Sequence, residues 1–108
     1  MDTKRELKLI LERHEGRDRA ITSRELSQLV GIPDREIRLT IEELINDGLP
    51  VVSATEYPAG YFLPMTIEEA REYTQSLRSR SIQIFLRRRK VIKNTEEYLR
   101  PAVQGKLL

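Results

Sequence analysis

The chain is predicted to be mainly α with a small β-hairpin: a helix-turn-helix closed by the hairpin, followed by a long C-terminal helix. Three observations point there. The stretch 21–48, ITSRELSQLVGIPDREIRLTIEELINDG, carries two capped apolar periodicities on either side of a Gly-Ile-Pro turn. Residues 50–63 hold two short β-prone runs around Pro58 and Gly60. From Thr66 no helix breaker follows until Asn94.

The first helix is expected from Thr3 to about Glu15, with Thr3 as cap and Leu7, Ile10 and Leu11 as its apolar face. Gly16 to Arg19 reads as a polar loop, and Ala20 and Ile21 as a very short strand. The second helix is led by Thr22, with Glu25 completing an S/T-x-x-E capping box. Leu26, Leu29 and Val30 recur at i, i+3 and i+4 and predict its buried side. Gly31 ends it, being free to take positive φ. Pro33 and Asp34 suit the first turn of a third helix, where proline loses no hydrogen bond and aspartate meets the positive end of the helix dipole. Ile37, Ile41, Leu44 and Ile45 are its buried stripe, and Asn46, Asp47 and Gly48 end it. A strand near 50–54, a turn at Thr55 to Gly60 and a returning strand over Tyr61, Phe62 and Leu63 complete the hairpin. The order helix, short strand, helix, helix, hairpin is that of a winged helix, with the hairpin as wing.

Thr66 and Glu69 form a second capping box. The helix they open is expected from Ile67 to about Lys93, roughly 40 Å long. Asn94, with Glu97 three residues on, offers a break near 94 and a separate cap for residues 95–100. Ala70, Leu77, Ile84, Val91 and Tyr98 recur every seven residues, with Phe85, Ile92 and Leu99 beside the last three. This narrow stripe fits a short coiled coil or a helix packed along another domain. The expected organisation is therefore a winged helix-turn-helix over 1–65, a long helix over 66–100 and a flexible tail over 101–108.

Composition narrows the function classes. The 108 residues contain no cysteine and one histidine, which excludes disulfides and thiolate metal sites. No apolar run approaches the roughly 20 residues of a membrane span. The N-terminal residues are charged and helical in pattern, unlike a secretory signal, so a cytoplasmic setting is expected. His14 is expected at the surface, and Glu42/Glu43, Glu68/Glu69 and Glu96/Glu97 are adjacent pairs pointing in different directions, unsuited to paired acid–base work. No enzyme, metal or cofactor is expected. Net charge is +2, unevenly spread. Residues 1–54 hold nine Lys/Arg against eleven Asp/Glu, and residues 55–108 hold ten against six.

A helix-turn-helix commonly lays its second helix in a DNA major groove. Facing away from Ile37, Ile41 and Leu44 are Arg35, Arg38, Leu39 and Glu42, the candidate base-contacting residues. Arginine presents a bidentate fork to guanine, and a leucine meets a thymine methyl. Thr22, Ser23 and Arg24, at a helix N-terminus, are candidates for a backbone phosphate, or serve as plain capping. Tyr57, Tyr61 and Phe62 read as wing core rather than a base-stacking platform, and Tyr57, beside the wing tip, is the one aromatic that is also a candidate DNA contact. Arg87, Arg88, Arg89, Lys90 and Lys93 lie in a stretch, 73–95, that has no acid, and form a second candidate phosphate-binding set or a solvated helix face. Leu77, Ile84, Phe85, Val91 and Ile92 are the candidate dimerisation residues. Against DNA stands the charge of the third helix: residues 34–47 carry two arginines and five acids.

The patterns ITSREL at 21–26, GIPDREIR at 31–38, LINDGL at 44–49 and GYFL at 60–63 resemble the winged helix-turn-helix at the N-terminus of biotin-dependent repressor/ligases. They resemble more closely the small winged-helix proteins of bacteriophages and prophages of Gram-positive bacteria. The resemblance covers roughly residues 5–64. It implies a winged helix that binds double-stranded DNA, as a transcriptional regulator or in phage DNA replication. Position 39, where such proteins tend to carry a base, is Leu39. A protein–protein docking module of a replication or packaging assembly is the alternative, because the same fold serves both ends.

Overall fold

A computed structural model of the chain describes residues 2–107, with side chains over 2–100. The chain is mainly α with one antiparallel hairpin and a long C-terminal helix: α1 (Thr3–Leu11), α2 (Ser23–Val30), α3 (Asp34–Asn46), β1 (Val52–Ala54), β2 (Gly60–Phe62) and α4 (Ile67–Leu107). It divides into two compact units, Met1–Tyr73 and Thr74–Leu108.

In the first unit the core is built from Leu7 and Leu11 of α1, Leu26 of α2, and Ile37, Ile41 and Leu44 of α3. Ile21, Val51 and Leu63 close it from the hairpin side. Two expected core residues are outside it. Leu29 is 62% exposed, because α2 meets its neighbours along Leu26 and Val30, and Leu29 lies on the other flank of Leu26. Ile45 is 44% exposed, since Leu44 takes the inward position at the end of α3.

Local signals set the helix ends. Thr22 Oγ1 accepts from the Glu25 amide at 3.1 Å, and Glu25 Oε1 accepts in return from the Thr22 amide, so the capping box is complete. Gly31 takes φ 81° and ends α2. Pro33 precedes α3 as its N-terminal boundary residue. The first helix departs from expectation at both ends: Asp2, not Thr3, caps it, and it stops at Leu11 rather than near Glu15. The backbone of 14–16 is needed elsewhere. His14 C=O accepts from the Leu63 amide at 2.9 Å, and the Gly16 amide donates to Leu63 C=O at 2.7 Å.

The hairpin pairs Val52 with Phe62, Ser53 with Tyr61 and Ala54 with Gly60. On the far edge of β2, Ile21 exchanges both backbone hydrogen bonds with Tyr61, at 2.8 and 2.6 Å. The short strand expected at Ala20 and Ile21 is thus a single bridge. Gly60 makes this close approach feasible: at φ 126°, a Cβ there would lie 2.2 Å from the Ile21 carbonyl oxygen.

The second unit is helix. The break expected near Asn94 is absent, and α4 runs through it to Leu107, across the segment expected to be a tail. Thr95 Oγ1 donates back to Val91 C=O at 2.7 Å, a bond made inside a continuing helix. Side chains over 74–100 are exposed throughout.

Candidate nucleic-acid interface

The third helix buries Ile37, Ile41 and Leu44, and helical geometry leaves the opposite side outward. Arg35, Arg38, Leu39 and Glu42 are all exposed there, Leu39 at 51%. The first turns of α3, with Arg35 and Arg38, are the part that a recognition helix offers to base edges. Arg38 is engaged within its own helix: its Nε donates to Asp34 Oδ2 at 3.1 Å, one turn back. Both side chains remain substantially exposed, so this is a weak surface pair.

The acidity of α3 is partly offset by α1. Lys4 Nζ reaches Asp47 at 2.5 Å and Glu43 at 3.7 Å. The hydrogen bond to Asp47, with the charges of Asp47 and Glu43, raises the Lys4 pKa. Two of the five acids of residues 34–47 therefore meet a cation at the far end of the helix, away from Arg35 and Arg38.

The hairpin is held by a residue that sequence reasoning passed over. Arg17, in the 3-10 turn Arg17–Arg19, spreads its guanidinium over the tip of the hairpin. One Nη donates to Pro58 C=O, and the other donates to Glu56 C=O at 2.6 Å. Between those carbonyls Tyr57 is 96% exposed, with a cis bond to Pro58. Of the three aromatics expected in the wing core, Phe62 is buried and Tyr61 half-buried, but Tyr57 lies outside it, because it sits at the tip beyond the paired strands. Burial pushes the Tyr61 phenol above its usual range; the Arg38 charge opposes this, and Asp34 and Tyr73 add to it.

The same turn is tied to the start of α4. The Arg17 amide donates to Glu69 Oε2 at 2.6 Å, and the Met65 amide donates to Glu69 Oε1 at 3.0 Å. The second capping box is therefore only half formed. Thr66 Oγ1 accepts from the Glu69 amide, but the Glu69 carboxylate bridges the Met65 and Arg17 amides instead of closing on Thr66. No local signal marks Arg17 or its bond to Glu69: the partners of Arg17 are 39 to 52 residues away.

The remaining candidates fall as follows. Thr22 spends its hydroxyl on the capping box; Ser23 is half-buried and Arg24 exposed beside it. Arg87, Arg88, Arg89, Lys90 and Lys93 are exposed along α4 in the second unit. Leu77, Ile84, Phe85, Val91 and Ile92 are between 39% and 65% exposed. His14, expected at the surface, is half-buried, with Nδ1 2.7 Å from Arg19 C=O. Among the described residues, no group of three His, Asp or Glu is placed to hold a metal ion, and no helix is long and apolar enough to cross a membrane. No protein-family model, curated protein or solved structure matches the chain.

Proposed function

We propose that the first unit is a winged helix that binds double-stranded DNA in a sequence-specific manner, without enzymatic activity or a cofactor. The protein would act in the cytoplasm, as a phage-type transcriptional regulator or in phage DNA replication. One observation carries this reading: Arg35, Arg38 and Leu39 stand exposed on the outer side of a short rigid helix whose inner side is core. Arg35 and Arg38 read guanines in the major groove, Leu39 meets a thymine methyl and Glu42 accepts from a cytosine amino group. Tyr57, held out at the hairpin tip, lies against the sugar-phosphate backbone, and Thr22, Ser23 and Arg24 offer a helix N-terminus to a phosphate. The cations of α4, Arg87 to Lys90 and Lys93, supply sequence-independent affinity. The apolar stripe of α4, through Leu77, Ile84, Phe85, Val91 and Ile92, pairs two copies, and two modest surfaces on one duplex gain from effective concentration.

A second reading is favoured by the acids of α3: a docking module whose third helix meets a basic protein surface. Selection of bound sequences from a random duplex pool, followed by binding across a salt series, separates the two. DNA recognition predicts a consensus, and a log–log fall with salt of about 0.9 per phosphate neutralised. A pool that returns no consensus, with no salt dependence, leaves the docking module.

A further inference from the structure

We infer that α4 pairs with α4 of a second copy in antiparallel orientation, over residues 87–100, with Arg89 of each copy beside Glu96 of the other. This rests on the self-pairing proposed above and fixes its direction and register. The observations are the unbroken helix through Asn94, the exposed stripe and the placement of charge along it.

At about 100° per residue, Phe85, Ile92 and Leu99 form the centre line of the stripe, with Ile84, Val91 and Tyr98 along one flank. Arg88 and Thr95 complete the centre line, one turn after Ile84 and Val91. The other flank carries Arg89 and Glu96. A parallel, in-register pair would set Arg88 against Arg88 inside the seam, where two like charges lose water and gain nothing. It would also match the acid-free stretch 73–95 with its own copy along its whole length.

Reversing one helix removes both conflicts. In an antiparallel pair each flank faces the same flank of the other helix, so Arg89 and Glu96 meet twice, once on each side of the two-fold axis. In that register Ile92 lies level with Thr95 of the second copy, and Arg88 level with its Leu99. The aliphatic stem of Arg88 covers that leucine while its guanidinium reaches outward. The seam over 87–100 is about 20 Å long. It leaves Leu77 beyond the overlap.

The chain has no cysteine, so introduced thiols are the only ones present. Full-length chains carrying Ile92→Cys and Thr95→Cys, mixed and oxidised, are expected to give the mixed disulfide, whereas Leu99→Cys alone gives no self-linked dimer. Sedimentation of Arg89→Glu and of Glu96→Arg is expected to show dimerisation weakened about fivefold or more each, from two exposed ion pairs lost. The chain carrying both changes recovers it. A self-linked Leu99→Cys dimer overturns the antiparallel register while leaving pairing intact. Failure of the double charge swap to recover association does the same. An intact chain that stays monomeric at every concentration overturns the pairing itself. None of these measurements involves DNA, so the groove reading of α3 stands or falls separately.

Discussion

Arg38 offers the sharpest test of the groove reading, because the structure records its competitor. In the free protein its Nε is bonded to Asp34 at 3.1 Å, and the two side chains are 66% and 44% exposed. An exposed pair at this helical spacing contributes about 0.3–0.5 kcal/mol. A good bidentate contact to guanine discriminates by about 1–3 kcal/mol. Arg38 must leave Asp34 to make it, so Arg38→Ala is expected to cost roughly 0.5–2.5 kcal/mol on the preferred site, a loss of about 2- to 70-fold. Arg35, for which no ion pair is seen among the described residues, keeps the full range of about 5- to 150-fold. Asp34→Asn removes the competitor and is expected to tighten binding about twofold, with the gain vanishing in an Arg38→Ala background. Fluorescence anisotropy on the selected duplex, with a mixed-sequence duplex as control, reads all four proteins. Equal losses on both duplexes refute base reading by these arginines. An Asp34→Asn protein that binds no more tightly refutes the competition.

Three further outcomes follow from the hairpin. Gly60→Ala is expected to destabilise by about 3–4 kcal/mol in chemical denaturation, from left-handed strain of about 1–2 kcal/mol and two hydrogen bonds to Ile21 lost at about 1 kcal/mol each. Arg17→Ala is expected to speed amide exchange in 55–60 by about 5- to 30-fold, from about 1–2 kcal/mol of charge-assisted bonding lost, while α1 to α3 keep their protection. Arg17→Lys does not rescue it, because an ammonium lacks the planar fork that spans two carbonyls. Tyr61 has a folded pKa above the ordinary 10.0, so its contribution to stability is complete below pH 10 and is lost as pH rises through the folded value. Tyr61→Phe is expected to flatten that part of the alkaline decline, measured as unfolding free energy between pH 9 and 11.

Most of the first unit was legible because its signals are local. The Thr22–Glu25 box and Gly31 act within a few residues and do in space what their spacing implies, whereas Pro33, expected in the first turn of α3, stands one residue before it and Asp34 opens the helix. Errors arose where a distant segment claimed the same atoms. The first helix looked longer because residues 12–15 continue its polar pattern, yet Leu63 takes the backbone of 14–16. Glu69 looked like a capping-box glutamate, yet the Arg17 amide is the better-placed donor. At Asn94 a capping sequence lost to helix continuation, and Thr95 bonds back to Val91 within the helix instead. The outer residues of α3 were legible for the same reason as its core: one face fixes the other.

Arg17 takes hold of main-chain oxygens, and every residue type carries those. The hold of Arg17 is therefore indifferent to the side chains of Glu56 and Tyr57. A lineage could exchange Glu56 or Tyr57 for other residues and keep the loop in the same place. Support and sampling of a target are thereby assigned to separate amino acids, which lets the second drift without disturbing the first.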